Sequence, residues 1–140
     1  MESQAEGERT DAATAYPTFR RSARDYDGAA LPALARTLTA AARSALEQGF
    51  PEPPARFYTQ TAFLSSDRRT QRALSCVVEA VSPDRSLAPF TVVAARFEGE
   101  AAYIGAFLQA DRPDQPYAEV ALYVVSRDGC VLRSFARQRL

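Results

Sequence analysis

Histidine, lysine, asparagine and tryptophan are absent from this chain of 140 residues, and Ile104 is its only isoleucine. Without histidine, the commonest general base and the commonest zinc ligand are both missing. Serine–histidine and cysteine–histidine nucleophile pairs are excluded for the same reason. Cys76 and Cys130 are the only cysteines, too few for a tetrahedral zinc site built from Cys and His. No Gly-rich phosphate loop, dinucleotide fingerprint or metal-ligand spacing is present, so neither a cofactor nor a metal is expected. No apolar run approaches the roughly 18 residues of a membrane helix, and no membrane association is expected. The first ten residues hold Glu2, Glu6, Glu8 and Arg9 and no signal-type apolar stretch, so a cytoplasmic place is expected.

What is present is ordinary globular material. Hydrophobic residues make up 46% and charged ones 24%, which excludes wholesale disorder. Seventeen arginines balance seventeen acids to a formal net charge of zero. A nucleic-acid partner is therefore not expected, since polyanion binders carry a basic excess. The all-arginine cation set fits a GC-rich coding sequence better than phosphate recognition. Two cysteines in a chain of this length do not form a secreted disulfide framework. Cys76 is expected to be inert core and Cys130 more exposed; a Cys76–Cys130 disulfide is open to the pair but not expected in an intracellular chain.

The chain divides into an N-terminal arm, 1–26, and a single α+β domain, 27–140. In the arm, the stretch Tyr16 to Tyr26 mixes aromatics with Arg20, Arg21 and Arg24. It reads as a lead-in whose Phe19 and Tyr26 pack on the domain edge, with a docking arm as the other reading. A helix is expected over 29–48, capped at Asp27 or Gly28, with Pro32 in its first turn and Gly49 at its close. Its apolar stripe is Leu31, Leu34, Leu38, Ala41, Ala42, Ala45 and Leu46, with Arg36, Thr39, Arg43 and Glu47 largely off it. The prolines of Phe50 to Pro54 stop it.

Strands are expected over 57–64, 73–82, 90–98, 101–110, 117–127 and 130–137, about five to six in an antiparallel meander. Turns close through Gly99 and through Asp128-Gly129. A sheet rolled around the helix, by analogy with cystatin-like or NTF2-like folds, fits this order, although no motif of either family is present.

The strand faces carry the functional expectation. Val93, Ala95 and Phe97 share one face with Ala102, Ile104, Ala106 and Leu108. Phe90, Val92 and Ala94 share the other with Tyr103 and Phe107, and the next strand adds Tyr117, Ala121 and Tyr123 there. Both faces are oily, whereas an antiparallel sheet with one wet face alternates cleanly. One helix about 10 Å wide covers part of one face of a sheet spanning over twice that. The uncovered face calls for a second copy, a protein partner, an apolar ligand, or the sheet curling on itself with the arm laid across the gap.

The expected function is therefore a small non-catalytic module that binds protein or assembles as a homodimer through Phe90, Val92, Tyr103, Phe107, Tyr117 and Tyr123. On that expectation, Tyr103→Glu with Phe107→Glu abolishes binding and spares the fold. The alternative is a rolled-sheet pocket for an apolar ligand, or an enzyme working through Glu79, Glu119, Tyr103 or Tyr123. Ser65-Ser66-Asp67 followed by Arg68, Arg69 and Arg72 offers an anion-binding corner at a helix start. Glu79 with Arg96 reads as a cross-strand ion pair, and Asp111 with Asp114 as a solvated turn.

Overall fold

The computed structural model describes residues 17–50, 67–81, 87–112 and 115–140. In chain order the elements are β1 (Thr18–Tyr26), α1 (Leu31–Glu47), α2 (Arg68–Val81), β2 (Leu87–Phe97), β3 (Glu100–Ala110), β4 (Tyr117–Ser126) and β5 (Leu132–Arg139). The strands form one sheet in the order β1-β2-β3-β4-β5. β1 runs parallel to β2, and every later neighbour is antiparallel. This is an α+β arrangement with a mixed five-stranded sheet among the described residues.

The start of the chain differs from expectation in one respect. Thr18–Tyr26 is an edge strand ahead of the helix rather than a loose lead-in. Thr18 Oγ1 bonds Thr91 Oγ1 at 2.8 Å, and Asp25 accepts the Gly99 amide at 3.0 Å. Phe19 and Tyr26 do pack on the domain edge, as the lead-in reading held.

α1 forms where its stripe and caps placed it. Asp27 Oδ1 accepts the Ala30 amide at 2.9 Å, and Pro32 occupies the first turn. At the far end Gly49 takes φ +100°, a left-handed value open to glycine. The Gly49 amide then bonds the Leu46 carbonyl and the Phe50 amide bonds that of Ala45, the paired closure of a Schellman motif. Thr39 is buried rather than off the stripe, and its hydroxyl donates to the Ala35 carbonyl at 2.7 Å. Ala41 lies outside the stripe, exposed.

The segment expected as the strand 73–82 is helix α2. Leu74, Cys76, Val78 and Ala80 do alternate, but Thr70, Ala73, Leu74 and Val77 recur at helical spacing and with Cys76 make up the buried set. Asp67 decides the matter locally: its carboxylate accepts the Thr70 amide at 2.8 Å, an N-cap that starts a helix and has no role in a strand. The strand expected over 57–64 lies outside the described residues.

The two helices sit on opposite faces of the sheet. α1 packs on Val93, Ala95, Ile104, Ala106, Leu108, Val120, Leu122 and Val124. α2 packs on Val92, Phe107, Ala121 and Val125. The face that looked bare in the sequence is therefore roofed by the chain itself. A sheet rolled about one helix, on the cystatin or NTF2 analogy, is not supported by an arrangement with a helix on each side. Gly105 permits the close approach of α2, since a Cβ there would stand 2.9 Å from Val77 Cγ1.

Two irregularities in the ladder reassign aromatic residues between faces. The register shifts between Pro89 and Thr91 and again beside Ala110, whose partner is Tyr117. An extra residue in one strand reverses the side to which its neighbours point. Phe90 and Tyr117 consequently face α1, where their rings meet Phe50 edge-on at 6.1 and 5.8 Å. They do not share a face with Val92 and Phe107.

Candidate binding edge

Of the six residues expected to form one apolar surface, Val92, Tyr103, Phe107 and Tyr123 share the cluster beneath α2, whereas Phe90 and Tyr117 lie in the cluster under α1. Phe90, Val92 and Phe107 are interior. Tyr117 is half-buried against Phe50, and Tyr103 is half-buried under the Arg127 guanidinium, 5.4 Å from its ring. Tyr123 packs edge-on to Phe107 at 5.8 Å and reaches toward the margin of the sheet. No single surface joins all six.

The anion-binding corner does not assemble either. Arg68, Arg69 and Arg72 stand on the first turns of α2 and are exposed. Asp67 already fills the place an anion would take at the helix start, and Arg69 lies over the Phe19 ring at 5.1 Å. The bond from the Thr70 amide, with the Thr70 hydroxyl and the Arg69 charge, holds the Asp67 carboxyl below its ordinary value of 3.8. A depressed folded value means that the cap's charge stabilises the fold above the ordinary pKa and that this is lost as pH falls through the folded one. The melting-temperature advantage of wild type over Asp67→Asn is expected to persist at neutral pH and shrink below about pH 4. A gap that stays constant through acid titration would count against this cap.

Glu79 and Arg96 are not a pair. Glu79 is exposed on α2, while Arg96 donates to the Gly99 carbonyl. Asp111 is exposed, and Asp114 lies outside the described residues. Glu119 stands across from Arg139 in the β4–β5 ladder. Among the described residues no three acidic or cysteine side chains gather into a cation site.

The cysteines depart from expectation. Cys76 of α2 and Cys130 are joined in a disulfide, with Cα atoms 5.1 Å apart. The sequence leaves this pairing open, and it is not expected on the ground of an intracellular compartment; helix α2 brings Cys76 over the end of β4, where its Sγ meets the Ser126 carbonyl at 3.6 Å. The β4–β5 connection is shaped accordingly. A two-residue turn at Asp128-Gly129 was expected, but positive φ falls one residue later, at Gly129 (+88°) and Cys130 (+53°). Ser126 Oγ donates to the Asp128 carbonyl at 3.0 Å and accepts the Val131 amide at 3.2 Å, and the Ser126 amide bonds the Val131 carbonyl. The loop thus spans four residues and is fastened to α2.

From this anchored turn the chain runs into β5, the outermost strand. Val131, Leu132 and Phe135 are 56%, 41% and 58% exposed, the large apolar side chains left in solvent among the described residues. Phe135 lies opposite Tyr123 and Leu132 opposite Val125, both on the α2 face. α2 covers Phe107 and Val125 but leaves Phe135 more than half exposed. A cleft of about 450 Å³ adjoins, lined by Glu100, Ser126, Arg127, Asp128, Val131 and Arg133 among others. Arg133 and Glu100 form an ion pair across it.

The backbone of β5 completes the edge. The Leu140 amide bonds the Ala118 carbonyl at 3.0 Å. Hydrogen-bonded and non-bonded pairs alternate along an antiparallel ladder, so Gln138, Ala136 and Ser134 spend their peptide groups on β4. Phe135, Arg137 and Arg139 turn theirs outward, where no described strand lies. Sequence reading recognised this strand but not its edge. The signal was available, since Phe135 alternates in step with Arg137 and Arg139, a pattern that marks the face as wet. No protein-family model, curated protein or solved structure matches the chain.

Proposed function

We propose that the chain is a small non-catalytic protein-binding module that works through the β5 margin of its sheet. This reading keeps the expected binding role and moves it from the sheet face to the β5 margin. What supports it is Phe135, an aromatic ring more than half exposed on an outermost strand, flanked by Leu132 and Val131. An aromatic anchor beside peptide groups that no described strand meets suits docking of an extended segment, in which the ladder supplies affinity and side-chain contacts supply choice. The opposing reading, an apolar pocket or carboxylate enzyme, has less support among the described residues: the cleft beside the β4–β5 turn opens at the surface, with Glu100, Arg127, Asp128 and Arg133 among its lining residues.

Selection of displayed nine-residue peptides on wild-type protein, counter-selected on Phe135→Ser/Leu132→Ser, tests the reading. Enrichment of strand-forming peptides that bind wild type about tenfold or more tighter than the double variant is expected. Equal recovery on both proteins would end it.

A further inference from the structure

Resting on the reading of β5 as a docking edge, we infer that its occupant is an extended acidic segment, adding as a strand with carboxylates opposite Arg137 and Arg139 and an apolar side chain opposite Phe135. The three side chains stand on one face, since Arg137 and Arg139 lie across from Ala121 and Glu119, in step with Phe135 across from Tyr123. They are also the three residues whose peptide groups point outward. An antiparallel guest must therefore carry, in its own direction, acid, any residue, acid, any residue, apolar residue.

Charge argues for this guest over the alternatives. Arg133 is neutralised by Glu100 and Arg139 is partly answered by Glu119, but Arg137 faces Ala121 and meets no described acid. A second copy of the chain fits poorly. Centred on Arg137, two β5 strands would oppose arginines directly; centred on Phe135, they would pair the rings but bring each Arg137 to the other's Arg133, whose acid Glu100 is already engaged, so that Arg137 gains no partner. Like charges placed opposite one another destabilise a ladder, whereas opposite charges support it. Arginines along an outer strand are a known guard against self-pairing, and the same residues attract an acidic guest.

The probe is a fluorescein-labelled nine-residue peptide of alternating valines carrying glutamate, glutamate and phenylalanine in that order, read by anisotropy. Its glutamine-for-glutamate version is the control. Wild type should bind the glutamate peptide roughly fivefold more tightly, the size expected of two cross-strand charge pairs. Arg137→Glu should reverse the preference toward an arginine-bearing peptide. Bound peptide should slow hydrogen exchange at the amides of Phe135, Arg137 and Arg139.

Equal affinity for the glutamine peptide, with binding still lost in Phe135→Ser, would overturn the acidic guest and leave the docking edge standing. No binding of either peptide would remove both. Protein that dimerises through β5 in light scattering, or that prefers a single-stranded oligonucleotide to the glutamate peptide, would also overturn it.

Discussion

Phe107→Glu should unfold the chain at room temperature rather than strip a surface of its stickiness. Phe107 is 1% exposed, packed beneath α2 and edge-on to Tyr123. Loss of a buried phenyl ring costs roughly 3–5 kcal/mol. A carboxylate left in its place without a partner adds several more, or takes up a proton to avoid them. Domains of this size hold about 5–15 kcal/mol in all. The expected result is a circular dichroism melt with no cooperative transition. Tyr103→Glu alone should behave differently, since that ring lies half-buried at the rim beneath Arg127 and a carboxylate there gains a cation. Phe107→Leu should retain the fold with a lowered melting temperature. A native-like melt for Phe107→Glu would mean that α2 does not roof this face.

The contrast between these two positions shows how far residue pattern alone could reach. Alternation along β2, β3 and β4 correctly assigned Val93, Ala95, Phe97 and their partners to one side and Val92 with Phe107 to the other. It also showed that both sides are apolar. The inference that something must cover the second side was sound, and the cover was in the chain. α2 was hidden because Leu74, Cys76, Val78 and Ala80 satisfy a two-residue period while Ala73, Leu74 and Val77 satisfy a helical one. Only Asp67, which caps Thr70, separates the readings.

Phe90 and Tyr117 were misplaced for a different reason. Each follows or borders a register shift, and such an insertion leaves no trace in hydrophobic periodicity. Of the binding edge itself, the sequence held the Phe135-x-Arg137-x-Arg139 alternation. It could not say that β5 would be outermost, because strand order is set by long-range pairing, including the return of β1 to the far side of the sheet.

The disulfide is where local pattern was least informative and the expected energetic effect is large. Cys76→Ala/Cys130→Ala should lower unfolding stability by about 4 kcal/mol in urea titration. The bridge spans 54 positions of sequence, and closing a loop of that size in the unfolded chain accounts for the figure through chain entropy. The loss should be uneven. α2 meets the sheet through a small apolar set, and the bridge ties its middle to the β4–β5 turn. Amides of Leu74 to Val78 should lose hydrogen-exchange protection before those of β3. Cys130 holds φ +53°, a conformation that costs alanine about what it costs the cysteine it replaces and that is free for glycine. Cys76→Ala/Cys130→Gly removes the same crosslink and also relaxes the turn, and should be roughly 1 kcal/mol more stable than the double-alanine variant. Both variants should fold at neutral pH, because Cys76 leaves only a small apolar gap and the core under α1 is untouched. Native protein whose two thiols react freely with a thiol reagent, or a double-alanine variant as stable as wild type, would show that α2 is held by packing alone.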